Sequence, residues 1–225
     1  MALRGELVVT DDVPGAFAQQ VIESFRARSL DTFSLALSGG ETARRCYERL
    51  AETAGSQIDW WKVDVYWGDE RCVPHDHPDS NYLLAREALL DRVGAANATH
   101  LMRCAEGPDP YQLRLGDLGR IDLVHLGMGA DGHTASLFPH SAALDADPGR
   151  LVAMNDDPLG GHPHARMTLT FAGIARAQLA VVTVSGREKA EALAAVAAGE
   201  DLPAARIDAE HVRWLVDGDA ASLLS

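Results

Sequence analysis

An apolar, β-leaning run at residues 121–126 (IDLVHL) stops abruptly on Gly127-Met128-Gly129-Ala130-Asp131-Gly132, and no other stretch constrains the fold as much. Such a run fills a strand buried on both faces, as happens where helices cover both sides of a parallel sheet. Three glycines in six residues then permit tight turns and a close approach of the backbone to a bound molecule. In an open α/β sheet, ligands bind just past the carboxyl end of a strand, where this loop falls. His133 follows at once, and it is the residue of this loop whose charge changes near neutral pH without special tuning. Residues 134–138 (TASLF) read as the opening of a helix or a short helical turn.

The rest of the chain repeats the theme. Residues 6–10 (ELVVT) read as a strand, and Asp11-Asp12-Val13-Pro14 as the capped, proline-primed start of a helix reaching about Arg28. Phe17, Val21, Ile22 and Phe25 fall on one face of it. Residues 32–37 form a second strand, which runs through Ser38-Gly39-Gly40-Glu41-Thr42 into a helix at about 43–53. Residues 60–67 (WWKVDVYW) are a third strand, ending in Gly68-Asp69-Glu70-Arg71, with a helix expected at about 80–92. After the central stretch, 151–154 is a short apolar run, 166–170 a strand or strand end, and 171–177 a short helix. Residues 179–184 are another buried strand, 187–198 an Ala-rich helix and 211–216 the last strand. Residues 94–120 carry no clear pattern. This alternation predicts an α/β fold, a Rossmann-like three-layer sandwich with a mainly parallel central sheet. With no internal repeat or low-complexity linker, one domain over 1–225 is expected.

Charge narrows the partners. A formal net charge of -13 argues against nucleic acid and against an anionic membrane surface. It also makes long-range steering of an anion repulsive, so any anion site must be built locally from backbone N–H groups and a few placed cations. No stretch is long and apolar enough to span a bilayer, and the first residues lack a leader pattern. The three cysteines, Cys46, Cys72 and Cys104, have no CxxC spacing and read as reduced thiols of a cytoplasmic protein.

Strand, Gly-Gly turn and helix, as at Ser38, Gly39, Gly40 and Thr42, is the geometry in which free N–H groups and a helix dipole hold a phosphate, although a plain tight turn needs the same glycines. Two cations reinforce the phosphate reading: Arg166 opens the MTLT strand, and Lys189 lies in the first turn after VVTVSG. A cation in a helix's first turn opposes the dipole and asks for a counter-anion. Asp69, Glu70 and Arg71 form either an ordinary ion cluster or a part of the same site, with Arg71 on the anion. His75, His77, His162 and His164 have HxH spacings but no companion cysteines and no HExxH helix, so no metal is expected. His133 reads as a general base held in one tautomer by Asp131.

These segments together resemble the 6-phosphogluconolactonase family, within the glucosamine-6-phosphate isomerase/deaminase superfamily. SGGET, GDERCVP, DSNYLLAREALL, GMGADGHTASLFP, RMTLT and VSGREKAEAL occur in the family's order. One departure is Ala43, where the family usually has proline after SGG-x-T. The resemblance implies hydrolysis of a phosphorylated sugar lactone without a cofactor, by a monomer or weak homo-oligomer. His133 would activate water, Asp131 would orient it, and Ser38, Gly39, Gly40, Thr42, Asp69, Arg71, Arg166 and Lys189 would bind substrate. An amino-sugar phosphate deaminase/isomerase is the nearest alternative, but its glutamate five residues after the histidine is Phe138 here, and its tyrosine after Asp-Glu is Arg71. A non-catalytic sugar-phosphate sensor is the alternative from another class.

Overall fold

The structure, a computed structural model, describes residues 3–224. Its strands are β1 (Glu6–Val9), β2 (Phe33–Leu37), β3 (Val63–Trp67), β4 (Asp69–Arg71), β5 (Ala98–Thr99), β6 (Ile121–Gly127), β7 (Val152–Asn155), β8 (Arg166–Leu169), β9 (Ala177–Val184) and β10 (His211–Val216). The α-helices are α1 (Val13–Ala27), α2 (Glu41–Ala54), α3 (Asn81–Ala85), α4 (Asp109–Leu118), α5 (Phe171–Ile174) and α6 (Ala190–Ala198).

Seven strands make one wholly parallel sheet in the order β1-β10-β9-β6-β2-β3-β5, with helices on both faces. The apolar runs explain the centre: Leu35, Leu37, Val65, Leu123, Val124, Leu126 and Val181 are fully buried. From β2 the chain moves outward to β3 and β5, then crosses back to β6 and moves outward the other way to β9 and β10. The order therefore reverses between β2 and β6, and the loops leaving these two neighbours flank the crevice that such a reversal opens. α1 forms as its sequence dictates, with Asp12 accepting from the Gly15 N–H at 3.0 Å and Phe17, Val21, Ile22 and Phe25 buried.

Several elements differ from expectation. Trp60–Lys62 is a 3-10 turn rather than strand, and β3 begins only at Val63. The helix from Asn81 widens into a π-turn over Arg86–Leu90. Residues 134–138 open no helix: Thr134 and Leu137 close a tight turn, with the Leu137 N–H on the Thr134 carbonyl at 2.9 Å. The patternless 94–120 stretch holds the two-residue edge strand β5 and α4. A second, three-stranded antiparallel sheet, β4-β8-β7, lies outside the alternating plan altogether. Its first strand is the polar trio Asp69–Arg71, which has no apolar alternation to announce it.

The cysteine reading also needs correction. Cys72 and Cys104 form a disulfide across 32 residues, because the chain just after β4 and the turn at Cys104–Glu106 are folded together. Only Cys46 is a free thiol; it is buried, and burial pushes its pKa up to about 12.

One buried polar strut ties the central strands. The Tyr47 hydroxyl accepts from the Ser38 N–H at 2.6 Å and lies 2.9 Å from His125 Nδ1, while His125 Nε2 lies 2.9 Å from Thr183 Oγ1. A neutral His125 with its proton on Nε2 satisfies both contacts. Burial lowers the His125 pKa from 6.5 to about 3. As pH falls below 6.5 the unfolded chain therefore takes up a proton that the native protein refuses, so stability is lost through the window from 6.5 towards 3. Between pH 6.5 and 4.5 this group alone should remove about 2 kcal/mol of unfolding free energy. Urea titrations of wild type and His125→Gln at the two pH values check this: the variant should lack that share of the acid loss.

Candidate active site

The loops after β2 and β6 open onto one cavity of about 260 Å³ at the reversal point of the sheet. Ser38, Gly39, Gly40, Thr42, Asp69, Arg71, Arg166, Lys189 and His133 all line it. Of the residues expected to act in catalysis or substrate binding only Asp131 does not; it stands behind His133.

The glycine turn forms one wall. Gly40 starts α2 with φ +92°, a conformation that favours glycine, and no side chain caps the helix. The first-turn N–H groups of α2 are thus left for a ligand, with the positive end of the helix dipole behind them. Ser38 N–H is not among the free donors, since Tyr47 already holds it.

Cations form the second wall. In the antiparallel pairing of β4 with β8, Arg71 stands directly opposite Arg166. Like charges in that position are unfavourable on their own, and the arrangement makes sense as a pincer for an anion. Arg166 is only 4% exposed, yet its Nη1 finds no hydrogen-bond partner among the described residues. Burial and then the Arg71 charge lower its pKa, against the opposing carboxylates of Asp69, Glu70 and Asp79. Arg71 is steadied by donating from Nη1 to the Asp79 carbonyl at 2.7 Å. Lys189 closes the 3-10 turn Arg187–Lys189 that precedes α6. The two carboxylates that precede Arg71 on β4 are engaged by neighbouring protein groups. Glu70 accepts from the N–H groups of Asn81 and Tyr82 at 2.7 and 2.8 Å, capping α3. Asp69 accepts from Ser136 Oγ at 2.6 Å and from Asn81 Nδ2 at 3.2 Å, which fixes two polar side chains in the cavity wall.

The third wall carries the imidazole. One oxygen of Asp131 receives both the His133 N–H, at 3.1 Å, and ring Nδ1, at 2.5 Å. Burial acts to raise the Asp131 pKa, but the hydrogen bonds and charge of His133 outweigh it and hold the carboxyl at about 2. A carboxylate on Nδ1 fixes the tautomer and leaves Nε2 as the free basic nitrogen. Glycine is required at 129 for a steric reason: a Cβ there would come within 2.1 Å of His133 Nδ1 and 2.4 Å of the Asp131 carboxylate.

The structure adds wall residues to which no substrate or catalytic role was assigned: Asn81, Ser136, Phe138, Thr183, Ser185 and, above all, His162. His162 was weighed only as a metal ligand. Its real signal is an aspartate five residues earlier, Asp157, whose Oδ2 lies 2.9 Å from His162 Nδ1. His164 instead pairs with Asp79, its Nε2 at 2.8 Å.

Known proteins share both the sequence and this architecture. A model of the family described as glucosamine-6-phosphate isomerases/6-phosphogluconolactonase matches residues 9–216. A 6-phosphogluconolactonase of Synechocystis sp. is 39% identical over 210 residues, covering 85% of this chain and 84% of that protein. The 6-phosphogluconolactonase of Mycobacterium tuberculosis is 36% identical over 211 residues, 84% of each chain. Among solved structures, the 6-phosphogluconolactonase of Trypanosoma brucei superposes with a TM-score of 0.84 at 28% identity, with all of both chains covered. The family match spans most of the chain, including β2, β6 and the loops that follow them, and on it this chain belongs to the glucosamine-6-phosphate isomerase/6-phosphogluconolactonase family.

Proposed function

We propose that this chain hydrolyses 6-phospho-D-glucono-1,5-lactone to 6-phospho-D-gluconate, a step of the pentose phosphate pathway. The observation that carries the reading is a carboxylate-oriented imidazole sharing one cavity with a buried guanidinium whose Nη1 has no hydrogen-bond partner among the described residues. The phosphate sits between the α2 N-terminus and the Arg71, Arg166 and Lys189 side chains. His133 Nε2 takes a proton from water as the oxygen attacks the lactone carbonyl, and Asp131 stabilises the imidazolium that forms. Backbone N–H groups of the 127–132 loop are the donors for the developing oxyanion. A ring ester is reactive enough for one base to suffice, and the scheme uses neither metal nor cofactor.

Phe138 occupies the place of the deaminase glutamate and is 1% exposed, so it can pack there but cannot move a proton. The enzyme acts as one domain, as a monomer or weak homo-oligomer. Its cytoplasmic placement rests on a phosphorylated substrate that does not cross membranes, no longer on the cysteines; among the described residues no helix is long and apolar enough to span one. The test is decay of the lactone above its spontaneous rate, run beside glucosamine 6-phosphate. Turnover of the lactone alone supports the reading. Turnover of the amino sugar moves the chain to the deaminase branch, and binding of 6-phosphogluconate without any turnover makes it a sensor.

A further inference from the structure

The cavity contains a second histidine built like the first. Asp157 Oδ2 receives both the His162 backbone N–H, at 3.0 Å, and ring Nδ1, at 2.9 Å. Asp131 Oδ1 treats His133 in the same way. The Asp157 carboxylate also takes the Leu159 N–H at 2.8 Å, so it organises the whole 157–162 loop that aims the ring. The His162 ring stacks on Phe138 at 4.7 Å and meets the His133 ring edge-on, with centroids 4.8 Å apart. Two imidazoles with Nδ1 engaged by carboxylate thus line the same cavity side by side. Ester hydrolysis has two proton transfers, one from the attacking water and one to the departing alkoxide; one imidazole can serve both in turn, and two can divide them.

We infer that His162 is the general acid of the reaction and delivers its Nε2 proton to the ring oxygen of the lactone. This rests on the lactonase function. In the step, water oxygen bonds to C1 while His133 Nε2 takes its proton, and the carbonyl π pair moves onto the carbonyl oxygen. That pair then re-forms the C=O bond as the bond from C1 to the ring oxygen breaks, its electron pair going to the ring oxygen, which takes the proton from His162. The products are a carboxylic acid, which ionises, and a hydroxyl; His133 returns its proton to solvent and His162 regains one. The groups facing His162 fit this cycle. Asp157 and, from the loop after β6, Asp131 place negative charge on its side of the cavity. Positive charge faces it from protonated His133, from Arg166 of β8, whose guanidinium lies 5.9 Å from the Phe138 ring, and from Lys189 and Arg71 in the same cavity. A bound phosphate dianion offsets those last three. His164, two residues on, is occupied by Asp79.

The experiment compares kcat, KM and the kcat–pH profile of wild type, His162→Gln and Asp157→Asn, with 6-phosphogluconate binding as the check that the cavity is intact. His162→Gln should lower kcat by about 100-fold, within the usual span for loss of a general acid, with KM changed less than about threefold. It should also erase the alkaline limb of the profile, which reports the acid in the bound complex. Asp157→Asn should lower kcat less and keep that limb. An unchanged kcat, a rise in KM alone, or an alkaline limb retained in His162→Gln overturns the assignment. A wild type that leaves the lactone untouched instead removes the lactonase function itself, so the two failures are distinguishable.

Discussion

Alanine at His133 is expected to lower kcat by ~100- to 10,000-fold while leaving KM within a few-fold of wild type. The imidazole takes its proton only as the water attacks, so its loss removes an interaction that the ground-state complex does not make. The fold should survive the change. The His133 side chain is 20% exposed, it packs on a glycine, and its backbone N–H still bonds to Asp131. Stopped assays of lactone decay, corrected for spontaneous hydrolysis, measure the effect. Asp131→Asn separates orientation from basicity, since it keeps the ring but replaces the carboxylate that fixes its tautomer. It should fall between wild type and His133→Ala. Because the Asp131 carboxyl is held at about 2, it stays ionised throughout any practical assay. Loss of activity on acidification above that value therefore reports an imidazole taking up a proton, not this carboxylate. If kcat survives the loss of His133, water is activated elsewhere and the mechanism fails at its first step.

Much of this site was legible in the sequence because α/β sheets place function by rule. The runs ending at Leu37 and Gly127 are strands whose carboxyl ends carry ligand loops, whereas the strand order that makes them neighbours is visible only in the fold. What the sequence hid has one physical character: contacts between segments with no periodicity of their own. Asp69–Arg71 is too short and polar to look like a strand, so its pairing with β8, and hence the apposition of Arg71 and Arg166, was invisible. The Cys72–Cys104 bond was missed for the same reason, since sequence spacing says nothing about two loops folded side by side. His162 sits in a loop ordered by a single aspartate, a hydrogen-bonded device that hydrophobic patterning does not record. The TASLF segment failed differently. Its residues suit a helix start, but Thr134 donates its hydroxyl to the Gly127 carbonyl at 2.9 Å and draws the chain into a tight turn instead.

Methionine at Arg166 should raise KM by about 30-fold or more and leave kcat nearly unchanged, as expected when a desolvated charge contact worth ~2 kcal/mol or more is lost from ground and transition states alike. Methionine is preferred to alanine because it fills most of the buried volume and avoids a cavity penalty. The prediction gains force from a second measurement with the opposite sign. In the free enzyme Arg166 is buried opposite Arg71, and these two influences lower its pKa despite Asp69, Glu70 and Asp79. A site that disfavours the charge of its own residue is made more stable, or at least no less stable, by removing that charge. Thermal unfolding of the free variant should therefore match or exceed wild type while its KM deteriorates. Unphosphorylated glucono-1,5-lactone supplies the control: with no phosphate to hold, wild type and Arg166→Met should turn it over with the same kcat/KM. Lys189→Ala should repeat the pattern with a smaller rise in KM, because that ammonium is only partly buried. If Arg166→Met instead destabilises the protein and impairs both lactones equally, the arginine is a structural pin between the two carboxylates, and the phosphate must be held elsewhere in the cavity.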